Sequence, residues 1–79
     1  MFRISLCRDE NTRRYSISPA GLAGWEVRME ENDTLRRLDL YDDWHRVERA
    51  LMLFERETTE LAAAGWRVAA AGASPAGPG

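Results

Sequence analysis

The side chains with types suited to chemistry are few: one histidine, one cysteine, an adjacent acid pair, three tryptophans and eleven basic residues, all of them arginine. His45 falls in the first turn of an amphipathic stretch and off its apolar stripe, which suits a solvated or cap-supporting residue better than a general acid or base. Cys7 has no neighbour that would hold it as a thiolate and no second cysteine to bridge, so a strand-end or partly buried position is expected. Asp42 and Asp43 form a pair able to contact a cation, yet two carboxylates at the start of a helix are explained by capping. Trp25, Trp44 and Trp66 offer stacking surfaces, but all fall on inward positions. With no activated nucleophile, no metal-ligand spacing and no phosphate loop, no catalytic residue, no metal and no cofactor is expected, and the chain is read as non-enzymatic. The constellation that remains is Arg13, Arg14, Arg28, Arg36 and Arg37 with Tyr41. Guanidinium forks grip phosphate oxygens and stack on bases, and a tyrosine ring can support a base, so this set is the candidate nucleic-acid site.

The element that must position these residues is a helix over Asp43 to Ala64. Trp44, Val47, Leu51, Phe54 and Leu61, with Thr58 in the gap, recur at spacings of three and four and form one apolar stripe. Asp42 and Asp43 suit its N-terminus, and Gly65 stands where a left-handed C′ residue ends a helix. Met52 and Leu53 lie outside the stripe, with Leu53 near Ala50 and Ala64. That flank is a candidate contact for a second copy or another protein.

Before the helix, apolar and polar residues alternate with the period of half-buried strands. Phe2, Ile4 and Leu6 define the first strand, Tyr15 and Ile17 the second, and Trp25, Val27 and Met29 the third. In the fourth, Leu38 and Leu40 are assigned inward and Arg37, Asp39 and Tyr41 outward, with Leu35 in the turn. Short polar connections favour neighbouring pairing, so the expected fold is α+β: a four-stranded antiparallel sheet with one long helix packed on one face. After Gly65, the alternation of Trp66, Val68 and Ala70 indicates a further short extended segment. Residues 1–71 are expected to be a single domain and 72–79 a disordered tail.

A chain of 79 residues has room for one small core. Its net charge of −2 withholds the overall pull on phosphate that most nucleic-acid binders use. Residues 1–41 carry seven arginines against seven acids, whereas 42–64 carry three against six, so the acidity sits on the helix. The exclusive use of arginine reads first as codon bias in a GC-rich genome. A single cysteine, no long apolar run and no signal-like N-terminus point to a soluble, cytoplasmic protein without membrane contact.

The order of an Arg- and Asn-bearing first hairpin (Asp9, Asn11, Arg13, Arg14, Tyr15), then Gly24-Trp25-Glu26-Val27, then more strand, then a helix ending in Gly65-Trp66 resembles the small Trp-Gly-Arg (WGR) domain over about residues 2–68. Where that family places its Trp-Gly-Arg signature, this chain has Met29 to Thr34 instead. The resemblance implies the fold and, through the family's association with nucleic acid in poly(ADP-ribose) polymerases and stand-alone bacterial proteins, a contact with single strands or ends. Element order also resembles single-stranded-DNA-binding coactivators of the PC4 and Whirly type. The function this order favours is nucleic-acid binding through Arg13, Arg14, Arg28, Arg36, Arg37 and Tyr41 on the open sheet face, and the alternative is a protein-interaction or dimerisation module using the flank near Leu53 or the sheet edge.

Overall fold

The computed structural model describes residues 2–72. Its elements follow the chain as β1 (Phe2–Arg8), β2 (Asn11–Pro19), a 3₁₀ turn (Gly21–Ala23), β3 (Trp25–Glu31), β4 (Thr34–Tyr41), α1 (Trp44–Ala63) and β5 (Arg67–Gly72). The strands form one antiparallel sheet of order β4-β3-β2-β1-β5, so the segment after the helix is a fifth strand that pairs with β1. It runs through Gly72, one residue past the expected domain boundary, and 73–79 lie outside the described residues.

Helix α1 begins and ends as the sequence requires. The Asp43 carboxylate accepts the amide of His45 at 2.9 Å, capping the first turn. At the other end Gly65 takes φ of 101°, which frees its N–H to reach the Ala62 carbonyl and the Trp66 N–H to reach that of Leu61. This paired closure turns the chain sharply and drops Trp66 beside Leu61 against the core.

The buried set is Leu6, Tyr15, Ile17, Val27, Val47, Ala50, Phe54 and Thr58. The stripe is rotated slightly from expectation, with Ala50 fully in and Leu51 and Leu61 only half-buried. Trp44 remains 46% exposed but packs on Trp25, ring centroids 5.1 Å apart. Phe54 is the centre of the helix–sheet contact, meeting the edge of Tyr15 at 4.8 Å and stacking towards Phe2 at 6.4 Å.

Strand β4 departs from the sequence reading, and the cause is a single residue. Asn32 and Asp33 both have positive φ (50° and 65°) and form the two-residue hairpin turn that sets Glu31 opposite Thr34 and Glu30 opposite Leu35. The register then shifts: Met29 lies opposite Arg37, leaving Arg36 as a bulge. Strict alternation from Leu35 would have put Leu38 and Leu40 under the helix, because one extra residue reverses the face of everything that follows. With the bulge, Arg37, Asp39 and Tyr41 share the helix side with Met29, Val27 and Trp25, and Leu38 and Leu40 share the open side with Arg28 and Glu26.

Candidate interaction surface

The six arginine and tyrosine positions singled out from the sequence are divided between the two faces of the sheet. Tyr15 is completely buried on the helix side of β2, so Arg13, two residues away, rises on that same side. Its Nη1 donates to the Tyr15 hydroxyl at 3.3 Å, its Nη2 to Glu31 at 3.5 Å, and its guanidinium lies 5.8 Å from the Trp66 ring centre. The hydroxyl contact first, and the Glu31 charge after it, raise the Arg13 pKa above its ordinary value against the cost of partial burial. Tyr15 passes the bond on, donating to Glu57 of α1 at 3.1 Å. Arg13 is thus part of a chain tying sheet to helix.

Arg37 and Tyr41 are also on the helix side. Arg37 Nε donates to Asp39 at 2.6 Å and Nη2 to the Tyr41 hydroxyl at 3.3 Å, while the guanidinium lies 5.7 Å from the Phe54 ring centre. The Asp39 carboxylate is the main reason its pKa is raised. Arg36, at the bulge, reaches Glu31 at 3.4 Å. Of the six, only Arg14 and Arg28 stand together on the open face, and both are met by acids: Arg14 by Glu30 and Asp33, each at 3.4 Å, and Arg28 by Glu26 and Glu30, each at 3.5 Å. These part-exposed pairs contribute roughly 0–1 kcal/mol each to stability. Their larger consequence is local neutrality, since a phosphate must compete with a carboxylate at each of the five arginines.

The open face is therefore built in rows that cross the strands. One runs Arg3–Ser16–Arg28–Leu38 and the next Ser5–Arg14–Glu30–Leu35, with Glu26–Leu40 at the far end of β3 and β4. Each row ends on a leucine. Leu35, Leu38 and Leu40 are 44%, 49% and 57% exposed and lie side by side along the edge strand of the sheet. Sequence reasoning missed this line, although its signal was present: spacings of three then two residues place Leu35, Leu38 and Leu40 on one face of a strand only if a bulge intervenes after Leu35.

The same edge carries apolar surface on its helix side. Arg37 and Tyr41 of β4 face Arg46, Arg49, Ala50 and Leu53 of α1 across an open groove of about 360 Å³. Leu53, the flank residue noted from the helical pattern, is 38% exposed there. The β4 edge thus combines a row of leucines on one face, Leu53 of α1 on the other and, between them, a backbone edge with no strand partner among the described residues. Among the described residues there is no group of three His, Cys, Asp or Glu side chains that could hold a metal ion, and no helix is long and apolar enough to cross a membrane. The chain matches no protein-family model, no curated protein and no solved structure.

Proposed function

We propose that the chain is a non-enzymatic association domain that presents strand β4 to a strand of a partner protein and extends its sheet across that edge. The observation that carries this reading is the Arg36 bulge, which turns Leu38 and Leu40 away from the core and aligns them with Leu35 along the outer edge of the sheet. An edge strand offers a row of free N–H and C=O groups, and proteins ordinarily blunt such edges with charge, proline or cover. Here the open side of the edge is apolar instead. Main-chain bonds along β4 would supply affinity, and the leucines would supply both buried area and register.

A WGR-like architecture is part of the same proposal. It is supported by four strands followed by a helix, by Gly24-Trp25 opening β3 and by Gly65-Trp66 closing α1. The segment that takes the place of the family's signature, the end of β3 and the turn after it, carries Glu30, Glu31 and Asp33, charges that repel phosphate. This is what puts a protein partner ahead of nucleic acid.

Nucleic-acid binding through Arg13, Arg14, Arg28, Arg36, Arg37 and Tyr41 stands as the second reading. It is favoured by the adjacent rows of Arg14 and Arg28, whose side chains are 56% and 41% exposed on the open face. A fluorescence-anisotropy titration of single- and double-stranded oligonucleotides at low salt tests it. Binding that steepens with falling salt and is lost in Arg14→Ala/Arg28→Ala supports it; none at millimolar protein removes it.

The test of the primary reading is a photo-crosslinking amino acid placed at position 38, with position 16 as an open-face control. Irradiation in living cells is expected to give discrete adducts from 38 and far fewer from 16. Equal labelling at both positions, or none at either, would contradict the edge-strand reading.

A further inference from the structure

The inference that follows rests on the edge-strand reading and identifies the partner: we infer that β4 pairs with β4 of a second copy of the same chain, antiparallel, about a two-fold axis at Leu38. The sheet has two edges, and they are not equivalent. Strand β5 carries a bulge in its middle, where its register against β1 shifts between Ser5 and Leu6, whereas β4 beyond its bulge runs regularly from Arg37 to Tyr41. Among the described residues the longer regular stretch is that of β4.

The sequence of that stretch, Arg37-Leu38-Asp39-Leu40, favours one register, since an axis at Leu40 would set Asp39 opposite Tyr41 and pair no opposite charges. In a two-fold antiparallel pair one residue lies opposite its own copy, and its neighbours on either side lie opposite each other. An axis at Arg37 would face Arg37 with Arg37, and an axis at Asp39 would face Asp39 with Asp39; like charges directly opposite destabilise a sheet. An axis at Leu38 faces leucine with leucine on the open side and, on the helix side, sets each Arg37 opposite Asp39 of the second copy. The pairing is satisfied twice by symmetry.

The structure holds these groups ready for it. Arg37 is fixed by Asp39 Oδ2 and the Tyr41 hydroxyl through Nε and Nη2, which leaves Nη1 and the second Asp39 oxygen without side-chain partners among the described residues. Two such pairs meeting across the axis make a ring of alternating charges. On the open side the Leu38 pair would join the apolar lines of the two sheets across the axis. Leu53, at the same edge, would approach the groove of the other helix–sheet pair. An interface made of one strand pair with flanking side chains is small, so the dimer should dissociate on dilution.

The charge pattern gives a test that an internal Arg37–Asp39 contact cannot imitate. Arg37→Asp opposes like charges in its own homodimer, and so does Asp39→Arg, but a mixture of the two variants opposes unlike charges at both positions. At a concentration where the wild-type chain sediments as a dimer, each variant alone should be a folded monomer, and the equimolar mixture should form a one-to-one heterodimer by native mass spectrometry. Because Arg37 also rests on Phe54, a second arm uses exposed positions only: in a Cys7→Ser background, Leu38→Cys should oxidise to a linked dimer at least tenfold faster than Leu40→Cys or Leu35→Cys. Equal oxidation rates, a mixture that stays monomeric, or a wild-type chain monomeric at millimolar concentration would overturn self-pairing. Adducts from position 38 to a different protein, with a monomeric wild-type chain, would overturn self-pairing while leaving the edge-strand reading standing; no dimer and no adduct would remove both.

Discussion

Deleting Arg36 is the most discriminating perturbation of the fold. If Arg36 is a bulge, its removal joins Leu35 to Arg37 and leaves every other β4 residue on its present face, with a straighter strand. The loss is the surface contact to Glu31 at 3.4 Å, which contributes roughly 0–1 kcal/mol. If β4 were unbulged, Leu38 and Leu40 would lie under the helix, and deleting one residue would turn them outward and reverse the face of all positions from 37 to 41, at a cost of several kcal/mol. Leucine truncations separate the same alternatives. Buried Leu→Ala changes cost about 2–5 kcal/mol. With half of each side chain already in water, Leu38→Ala and Leu40→Ala should cost about 0.5–1 kcal/mol each. Val27→Ala on the neighbouring strand, where Val27 is fully buried, should cost about 2 kcal/mol from two lost methyl groups and the space left behind. The assay is urea unfolding followed by tryptophan fluorescence at low micromolar protein, so that association does not add to the wild-type stability. Losses above about 2 kcal/mol for both leucine variants, or a deletion variant that does not fold, would refute the bulged register.

Phe54→Ala should be the most damaging single truncation. It removes contacts with Phe2, Tyr15 and the Arg37 guanidinium and costs about 3–5 kcal/mol, so an unchanged urea midpoint would show that the helix stripe is wrongly placed. Tyr15 gives the pH dependence: burial, and secondarily the Glu57 charge, raise its folded pKa above the ordinary value of 10.0. The stabilising contribution is therefore fully present below pH 10 and is lost as pH rises through the raised folded value. Stability should fall as pH rises from about 10 to that raised value in the wild-type chain and fall less in Tyr15→Phe; parallel curves would exclude the phenol as the titrating group. Gly24→Ala should destabilise strongly, because φ there is 98° and a Cβ would sit 2.2 Å from the Tyr41 carbonyl oxygen, whereas Gly65→Ala meets no neighbour and is strained only by its φ. A thermal melt showing Gly65→Ala to be the worse of the two would count against that packing of the β3 entrance on the end of β4.

What was legible in the sequence follows from how local each determinant is. The helix, its Asp43 cap and its Gly65 stop depend on neighbouring residues and on a period that cannot be confused with a strand, so their places were set by short-range pattern. Strands one to three alternate without interruption, and Tyr15, Ile17 and Val27 are buried where that alternation puts them. Strand four failed because a bulge is a feature of pairing: its presence is decided by the Asn32-Asp33 turn and the β3 partner together, and alternation alone has no memory of either. The fifth strand was seen as an extended segment, but its place beside β1 depends on the turn at Gly65 and on a free sheet edge at the other end of the order. The arginine set was chosen by residue type. Parity placed Arg14 and Arg28 together, but Arg37 and Tyr41 inherited the error of strand four, and Arg13 shares the inward parity of Tyr15. The carboxylates that neutralise the set are cross-strand neighbours, as Arg14 is of Glu30, or partners two residues away on the same side of a strand, as Arg37 is of Asp39. Such pairs come into view only once register is known.

The central claim, that β4 is an edge that pairs with a second copy of the chain, is tested most directly by amide hydrogen exchange as a function of protein concentration. Backbone N–H groups of Arg37 to Tyr41 that point away from β3 should exchange rapidly in dilute protein and gain at least tenfold protection at high concentration, with the amides of β5 unchanged. Outward amides of β4 that exchange equally fast across the whole concentration range, or protection that develops on β5 instead, would contradict it.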